Sequence, residues 1–337
     1  MTGMRNRDIR LNKRPSGLPQ PGDFQFFEDP IPTPKSGQVL VKNLYMSVDP
    51  YMRGRMADRR SYAAPYQIGE TLAGSAVGRI VTGNGQLAPG DYVVSQNGWR
   101  EWFVCDGRDL RKVDPSVAPV QAYLGVLGIP GLTAYAGLKR IGGLQKDDRV
   151  FVSAAAGAVG SAACQIALAT GCEVVVGSAG TDEKCAWLRD LGIEAFNYHD
   201  TDDLGVTLAD HMPGGIDLYY ENVGGDHLEA ALDNMREQGR IVVCGLIDQY
   251  NAPEPPPGPC NLDLIVKRRL TMRGFLVTDH LDLMDSFLED MRRWIAEGKM
   301  KWRETVADGI ENAPAALIGL FHGDNIGKML VKLADDD

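Results

Sequence analysis

Val150-Phe151-Val152-Ser153-Ala154-Ala155-Ala156-Gly157-Ala158-Val159-Gly160 is the stretch that decides the fold. An apolar run gives way to small residues, and a helical pattern follows over 158–170, so strand, turn and helix succeed one another directly. Against the dinucleotide fingerprint GxGxxG the positions are Ala155, Gly157 and Gly160, with alanine in the first place. Small side chains let a pyrophosphate approach the backbone. The helix opening at Ala158, Val159 and Gly160 would offer that anion N–H groups and the positive end of its dipole. The bare motif also fits a tight helix–strand turn with no ligand. The segments around it separate the two readings.

Downstream, strands over 149–153, 173–177, 218–221, 240–245 and 271–275 alternate with helical stretches that include 158–170 and 182–191. That alternation predicts stacked βαβ units and a doubly wound parallel sheet, and Val174-Val175-Val176 is apolar on both faces, as a buried parallel strand requires. Enzymes that use NAD place an Asp or Glu about 20 residues past the glycines to hold the ribose 2′-OH. Here the second strand runs into Gly177-Ser178-Ala179-Gly180, with no acid at its tip, and Lys184 follows. Small Ser178 and Gly180 leave room for a 2′-phosphate and Lys184 can supply its cation, so NADP(H) is the predicted cofactor. A charge-assisted contact is worth roughly 1.5–3 kcal/mol, or about 10- to 150-fold in affinity. A solvated helix lysine is the alternative for Lys184.

Upstream, short apolar runs punctuated by Gly and Pro predict a mostly β domain over 1–122, with the Rossmann domain over 123–299. An amphipathic helix is expected over 281–297. The alternation at 328–333 predicts that the tail, 300–337, returns to complete the first domain. Residues 253–259, Pro-Glu-Pro-Pro-Pro-Gly-Pro, are expected to form a surface loop past a strand's carboxyl end, and whether it serves as a substrate lid the sequence leaves open.

The 337 residues carry a formal net charge of −10 with no basic stripe, which argues against a nucleic-acid partner. No run of 18 apolar residues is present to span a membrane. The opening Met1 to Gly17 is charged, without a signal peptide's apolar stretch, and the six cysteines form no CxxC pair. A cytoplasmic protein with reduced thiols is expected.

Six motifs occur in order. They are residues 47–56 (Ser-Val-Asp-Pro-Tyr-Met-Arg-Gly-Arg-Met), the turn 154–160, Gly177 to Gly180 with Lys184, Glu221-Asn222-Val223-Gly224-Gly225, Tyr250-Asn251, and Asn325-Ile326-Gly327-Lys328. Together they resemble the zinc-free medium-chain dehydrogenase/reductases of the prostaglandin reductase, leukotriene dehydrogenase and alkenal (curcumin-type) double-bond reductase group, over essentially the full length. The resemblance implies a GroES-like β domain plus a Rossmann domain, and homodimers that pair their Rossmann sheets edge to edge. It implies Lys184 and Tyr198 at the 2′-phosphate, Asn222 at the cofactor's ribose or phosphates, and Asn325 on the nicotinamide side. Where many relatives follow the tyrosine with Lys, this chain has His199. A core tyrosine is the alternative for Tyr198.

Zinc-dependent relatives place a Cys, a His and a later Cys or Asp where this chain aligns Met46, Gly69 and Ile129, and the cysteine-rich lobe of a structural zinc is missing. None of the three side chains is a zinc ligand, so no metal is expected. Without a Lewis acid the natural target is an α,β-unsaturated carbonyl, which takes hydride at its β-carbon and leaves charge on an enolate oxygen. The resemblance nominates Tyr250 and the nicotinamide ribose hydroxyl as donors to that oxygen, with Tyr51 lining the substrate pocket. Tyr51 could instead pack the domain's edge, and Tyr250 could be a surface aromatic. Arg53 and Arg55 are expected in structural ion pairs. The runner-up activity is quinone reduction. Outside enzymes, the alternative is a catalytically silent NADPH-binding protein.

Overall fold

The computed structural model describes residues 5–336, and these divide into two compact units. The first comprises Met1–Leu124, Glu304–Asn325 and Met329–Asp337. The second comprises Gly125–Arg303 and Ile326–Lys328.

In the first unit, β1 (Arg5–Leu11) pairs antiparallel with β2 (Phe24–Pro30). The strands β3 (Val39–Ser47), β4 (Ala76–Thr82), β5 (Tyr92–Ser95), β6 (Trp102–Cys105) and β7 (Arg111–Lys112) make an antiparallel sheet, with the short helix α1 (Tyr51–Arg55) following β3. The charged strand β1 is held because its alternate residues point inward. Ile9 and Leu11 enter the core, and buried Asp8 is neutralised by Arg10, whose Nε lies 2.8 Å from its carboxylate. The core of this unit gathers Met46, Met52, Met56, Leu72 and Trp99.

In the second unit, α2 (Ile129–Ala136) leads into β8 (Arg149–Val152), α3 (Ala158–Thr170), β9 (Val174–Ala179), α4 (Asp182–Asp190) and β10 (Glu194–Asn197). Then come α5 (Leu204–His211), β11 (Ile216–Glu221), α6 (Gly225–Asn234), β12 (Met235–Val243), α7 (Asp263–Lys267), β13 (Thr271–Gly274) and α8 (Met284–Ala296). The six strands are parallel in the order β10-β9-β8-β11-β12-β13. Strand order therefore reverses between β8 and β11, where open α/β sheets bind ligands at the strands' carboxyl ends. Phe151 and Tyr219 stack at 4.9 Å beneath that point.

The tail returns to the first unit. It forms β14 (Glu304–Asp308), α9 (Ala313–His322) and β15 (Lys328–Lys332), and β15 pairs antiparallel with β3. Three differences from expectation have local causes. β10 is four residues long and carries no alternating pattern. β12 begins at Met235, earlier than the expected 240, and its first half is hidden in the sequence by the exposed polar residues Arg236, Glu237 and Gln238. β9 runs to Ala179, two residues beyond the expected end, because Phe196 and Asn197 of β10 pair with Ser178 and Ala179.

Candidate functional site

The turn after β8 is built by close packing. Ala154 takes a left-handed φ of +48°, and Ala155 N–H donates to the Ser178 carbonyl at 2.9 Å. Ala155 is fully buried, and a Cβ on Gly177 would stand 2.5 Å from its methyl group, so this alanine joins the turn to β9. A Cβ on Gly160 would stand 2.4 Å from the Ala154 carbonyl oxygen, which is why the third fingerprint position has no side chain. Gly157 caps α3 in extended conformation with no side-chain cap, and Ala158, Val159 and Gly160 form the first turn behind it. Helix-opening N–H groups left without a side-chain acceptor suit an anion.

A distant segment completes this turn. Gly327 N–H donates to the Ala156 carbonyl at 2.8 Å, and Gly327 bridges Gly157 in parallel register. Gly327 has φ +69°, and a Cβ there would meet the Arg303 carbonyl oxygen at 2.0 Å, so only glycine fits. Asn325 lies two residues before it in the chain.

At the end of β9 and the start of α4 the Thr181 hydroxyl accepts the Lys184 N–H at 3.3 Å, which places Lys184 in the helix's first turn. Gly180 faces Tyr198, whose hydroxyl would lie 3.0 Å from a Cβ on Gly180. Burial and the Asp248 carboxylate hold the Tyr198 phenol above its ordinary pKa, so it stays a hydrogen-bond donor. The structure thus gathers Gly180, Lys184 and Tyr198 at one strand end. Ser178 is different. It lies inside β9, fully buried, with its Oγ 3.0 Å from His227 Nε2. Its side chain is turned into the unit's interior because the strand is longer than its sequence suggests.

His227 lies in the first turn of α6 and is buried. Burial, with His199 adding to it, lowers its pKa to about 4. Its ring packs edge-on to Tyr198 at 4.8 Å.

Asn222 follows β11. Its N–H donates to Ser153 Oγ at 2.9 Å and its side-chain amide donates to the Ser153 carbonyl at 2.8 Å. The chain after β12 then passes alongside, with Ile247 N–H on the Asn222 carbonyl at 3.2 Å and Asp248 N–H on that of Val223 at 3.1 Å. Tyr250 follows, its hydroxyl 2.9 Å from where a Cβ on Gly245 would sit. Asn222 and Tyr250 therefore share one rim of the sheet, next to the switch point. The proline-rich loop after Tyr250 is largely exposed.

In the first unit Tyr51 opens α1 and packs against the Met-rich core. Burial and the nearby Asp49 carboxylate push its phenol far above the ordinary range, which makes it a donor and never a base. Arg53 and Arg55 depart from the ion pairs expected of them. Arg53 Nε donates to the Gly17 carbonyl at 2.9 Å, and Arg55 Nε to that of Ala64 at 2.9 Å with its guanidinium over the Tyr66 ring. These are loop-bracing contacts to main chain.

Residues 7–113 match the family described as the N-terminal domain of oxidoreductase, and 158–296 match the family described as zinc-binding dehydrogenase. The chain is 42% identical to an NADPH-dependent curcumin reductase of Escherichia coli over 99% of this chain and 98% of that protein. It is 42% identical to an NADP+-dependent 2-alkenal reductase of Nicotiana tabacum, over 98% of each. A crystal structure of CurA from Vibrio vulnificus in complex with NADPH superposes with a TM-score of 0.91 at 40% identity, covering 98% of this chain and 99% of that one. A sheet of Rossmann order joined to an antiparallel β unit defines a two-unit dinucleotide-dependent oxidoreductase. The chain belongs to the medium-chain dehydrogenase/reductase family, in its group of alkenal, curcumin and prostaglandin reductases.

The zinc in one family description does not fit this chain. Met46 is a fully buried core residue, and among the described residues no three His, Cys, Asp or Glu side chains are grouped to hold a metal ion. A dinucleotide phosphate does fit, since Gly157 caps α3 with no side chain to occupy the N–H groups of its first turn.

Proposed function

We propose that the protein reduces the carbon–carbon double bond of α,β-unsaturated aldehydes and ketones with NADPH as reductant. The observation that carries this reading is the gathering of the uncapped α3 start, Asn222 and Tyr250 at the carboxyl ends of β8, β11 and β12, beside the strand-order reversal. The names of the E. coli and tobacco relatives and the NADPH in the Vibrio structure support it.

When bound, NADPH supplies the hydride, which is added to the β-carbon. The main-chain N–H groups of Ala158, Val159 and Gly160 would hold the pyrophosphate, while Lys184, Tyr198 and the small Gly180 would receive the 2′-phosphate. Asn222, held twice by Ser153, would present its remaining amide capacity to the ribose. The resemblance would give Asn325 the nicotinamide side. The enolate oxygen gathers negative charge as the β-carbon is reduced, and a donor fixed where that charge develops lowers the barrier. The resemblance gives Tyr250 that role, since a protonated phenol can donate a hydrogen bond to the oxygen. The α-carbon takes its proton from water.

The protein is further inferred to work in the cytoplasm, where its six free cysteines would stay reduced, and as a homodimer joined through β13, one of the sheet's two outer strands. The deciding experiment follows NADPH oxidation with a 2-alkenal, an enone, a quinone and a saturated aldehyde, products being identified by mass and NMR. Saturated carbonyl from the alkenal or enone is expected. Turnover of the quinone alone would move the assignment to quinone reduction, and NADPH binding without turnover would leave a binding protein.

A further inference from the structure

Glu221 closes β11 with a carboxyl that is fully buried, directly under the rim that carries Asn222 and Tyr250. One oxygen, Oε1, accepts two donors, the Ser153 hydroxyl at 2.9 Å and the Val223 N–H at 2.6 Å. Ser153 is the hinge between β8 and the fingerprint turn. Its hydroxyl, fixed by donating to Glu221, in turn accepts the Asn222 N–H at 2.9 Å. The main chain of the same residue works on the other side, where the Glu221 carbonyl accepts Cys244 N–H at 2.9 Å and Gly245 N–H at 3.2 Å. Gly245 is the residue beneath the Tyr250 hydroxyl.

Three segments thus meet on one residue: the turn after β8, the loop after β11 and the loop after β12. They are the segments that carry the proposed pyrophosphate, ribose and enolate contacts. A carboxyl is costly to bury, and burial pushes this one's pKa up, with the Ser153 and Val223 bonds opposing that push. An apolar residue would fill the space at less cost if packing were all the position required. The carboxyl supplies what an apolar residue lacks, an acceptor shared by two loops.

We propose that Glu221 is the positioning residue of the site, its carboxyl locking the Ser153 turn to the Asn222-Val223 loop and so setting where Asn222 and Tyr250 stand. This rests on the cofactor reading above and assigns no contact between Glu221 and any ligand. Glu221→Leu removes the acceptor, and Ser153→Ala removes the other end of the link. Glu221→Gln keeps an oxygen that can accept both donors.

The test measures NADPH affinity by fluorescence, the kcat and KM for a 2-alkenal, and the primary isotope effect with NADPH deuterated at the transferred position, all well below each variant's Tm. Glu221→Leu is expected to weaken NADPH binding and lower kcat per NADPH-binding site, each on the order of tenfold to a hundredfold. The isotope effect should rise as hydride transfer becomes slower. Glu221→Gln should recover most of the loss. Ser153→Ala should act in the same direction, and the double variant should lose little more than the worse single, since both break one link. Should Glu221→Leu fail to fold, Ser153→Ala against Glu221→Gln carries the comparison alone. A fall in Tm with kcat per bound site, affinity and isotope effect unchanged would overturn the proposal, as would fully additive losses. If the wild type binds NADPH but reduces no alkenal, the functional reading fails, and the affinities of the three variants still decide whether Glu221 positions the NADPH site.

Discussion

The two glycines of the fingerprint turn have separate physical tasks, and a methyl group added to each distinguishes them. At Gly160 the added carbon would lie 2.4 Å from the Ala154 carbonyl oxygen and 2.8 Å from the Ala155 Cα, both backbone atoms that cannot rotate away. At Gly157 its nearest neighbour is the same carbonyl oxygen at 3.3 Å, a contact relieved by a small shift. Gly160→Ala is therefore expected to cost about 1–3 kcal/mol of folding stability, the usual price of overpacking, and Gly157→Ala less than about 1 kcal/mol. Urea unfolding of both variants checks the order, and a Gly157 variant as damaged as the Gly160 one would refute it. The spacing of small residues makes both glycines legible in the sequence. It does not show that Ala154, and not Ala155, adopts the left-handed conformation, a strain of roughly 1–2 kcal/mol in a residue with a side chain. Ala155 is instead consumed by packing against Gly177.

At the scale of elements, α6 is tied to β9 by His227 against Ser178, and this tie has a pH signature. His227 titrates near 4 in the native unit against an ordinary 6.5, because burial disfavours its charged form. Well above pH 6.5 it is neutral both folded and unfolded. As pH falls from 6.5 towards 4, the unfolded chain takes up a proton that the native state refuses, and stability is lost. At about 1.4 kcal/mol per pKa unit, the loss is on the order of 3 kcal/mol. Stability of the wild type should therefore fall more between pH 7 and pH 4.5 than that of His227→Gln, as read by urea unfolding at both pH values. Equal losses would mean that the ring is not held neutral. Neither half of this pair is readable from local sequence, since Ser178 sits where a turn is expected and His227 follows a glycine-rich loop like any solvent-facing histidine. α3 is legible over its full span because small and apolar residues persist without a breaker until Gly171. β10 is not legible, because Glu194-Ala195-Phe196-Asn197 becomes a strand only by pairing with β9. The Gly327 contact with the fingerprint turn is beyond local reading for the same reason, as it depends on where the tail returns.

At the scale of the whole molecule, the six-stranded sheet ends on β13, whose Thr271, Arg273 and Gly274 are exposed. An outer strand offers unpaired main-chain groups to another strand, and a two-fold axis beside it would pair β13 with its own copy and continue one sheet across two chains. The proposed homodimer should therefore sediment at twice the 36.7 kDa of the chain. Thr271→Glu with Arg273→Glu would set four new carboxylates around that axis. Like charges brought together in paired strands oppose pairing, while the exposed side chains of a single unit lose little by the change. Sedimentation of this double variant at the monomer mass, with its Tm measured alongside and within a few degrees of wild type, is the expected result. A wild type that sediments as a monomer would remove the dimer from the functional reading, and a double variant that stays dimeric would move the interface away from β13.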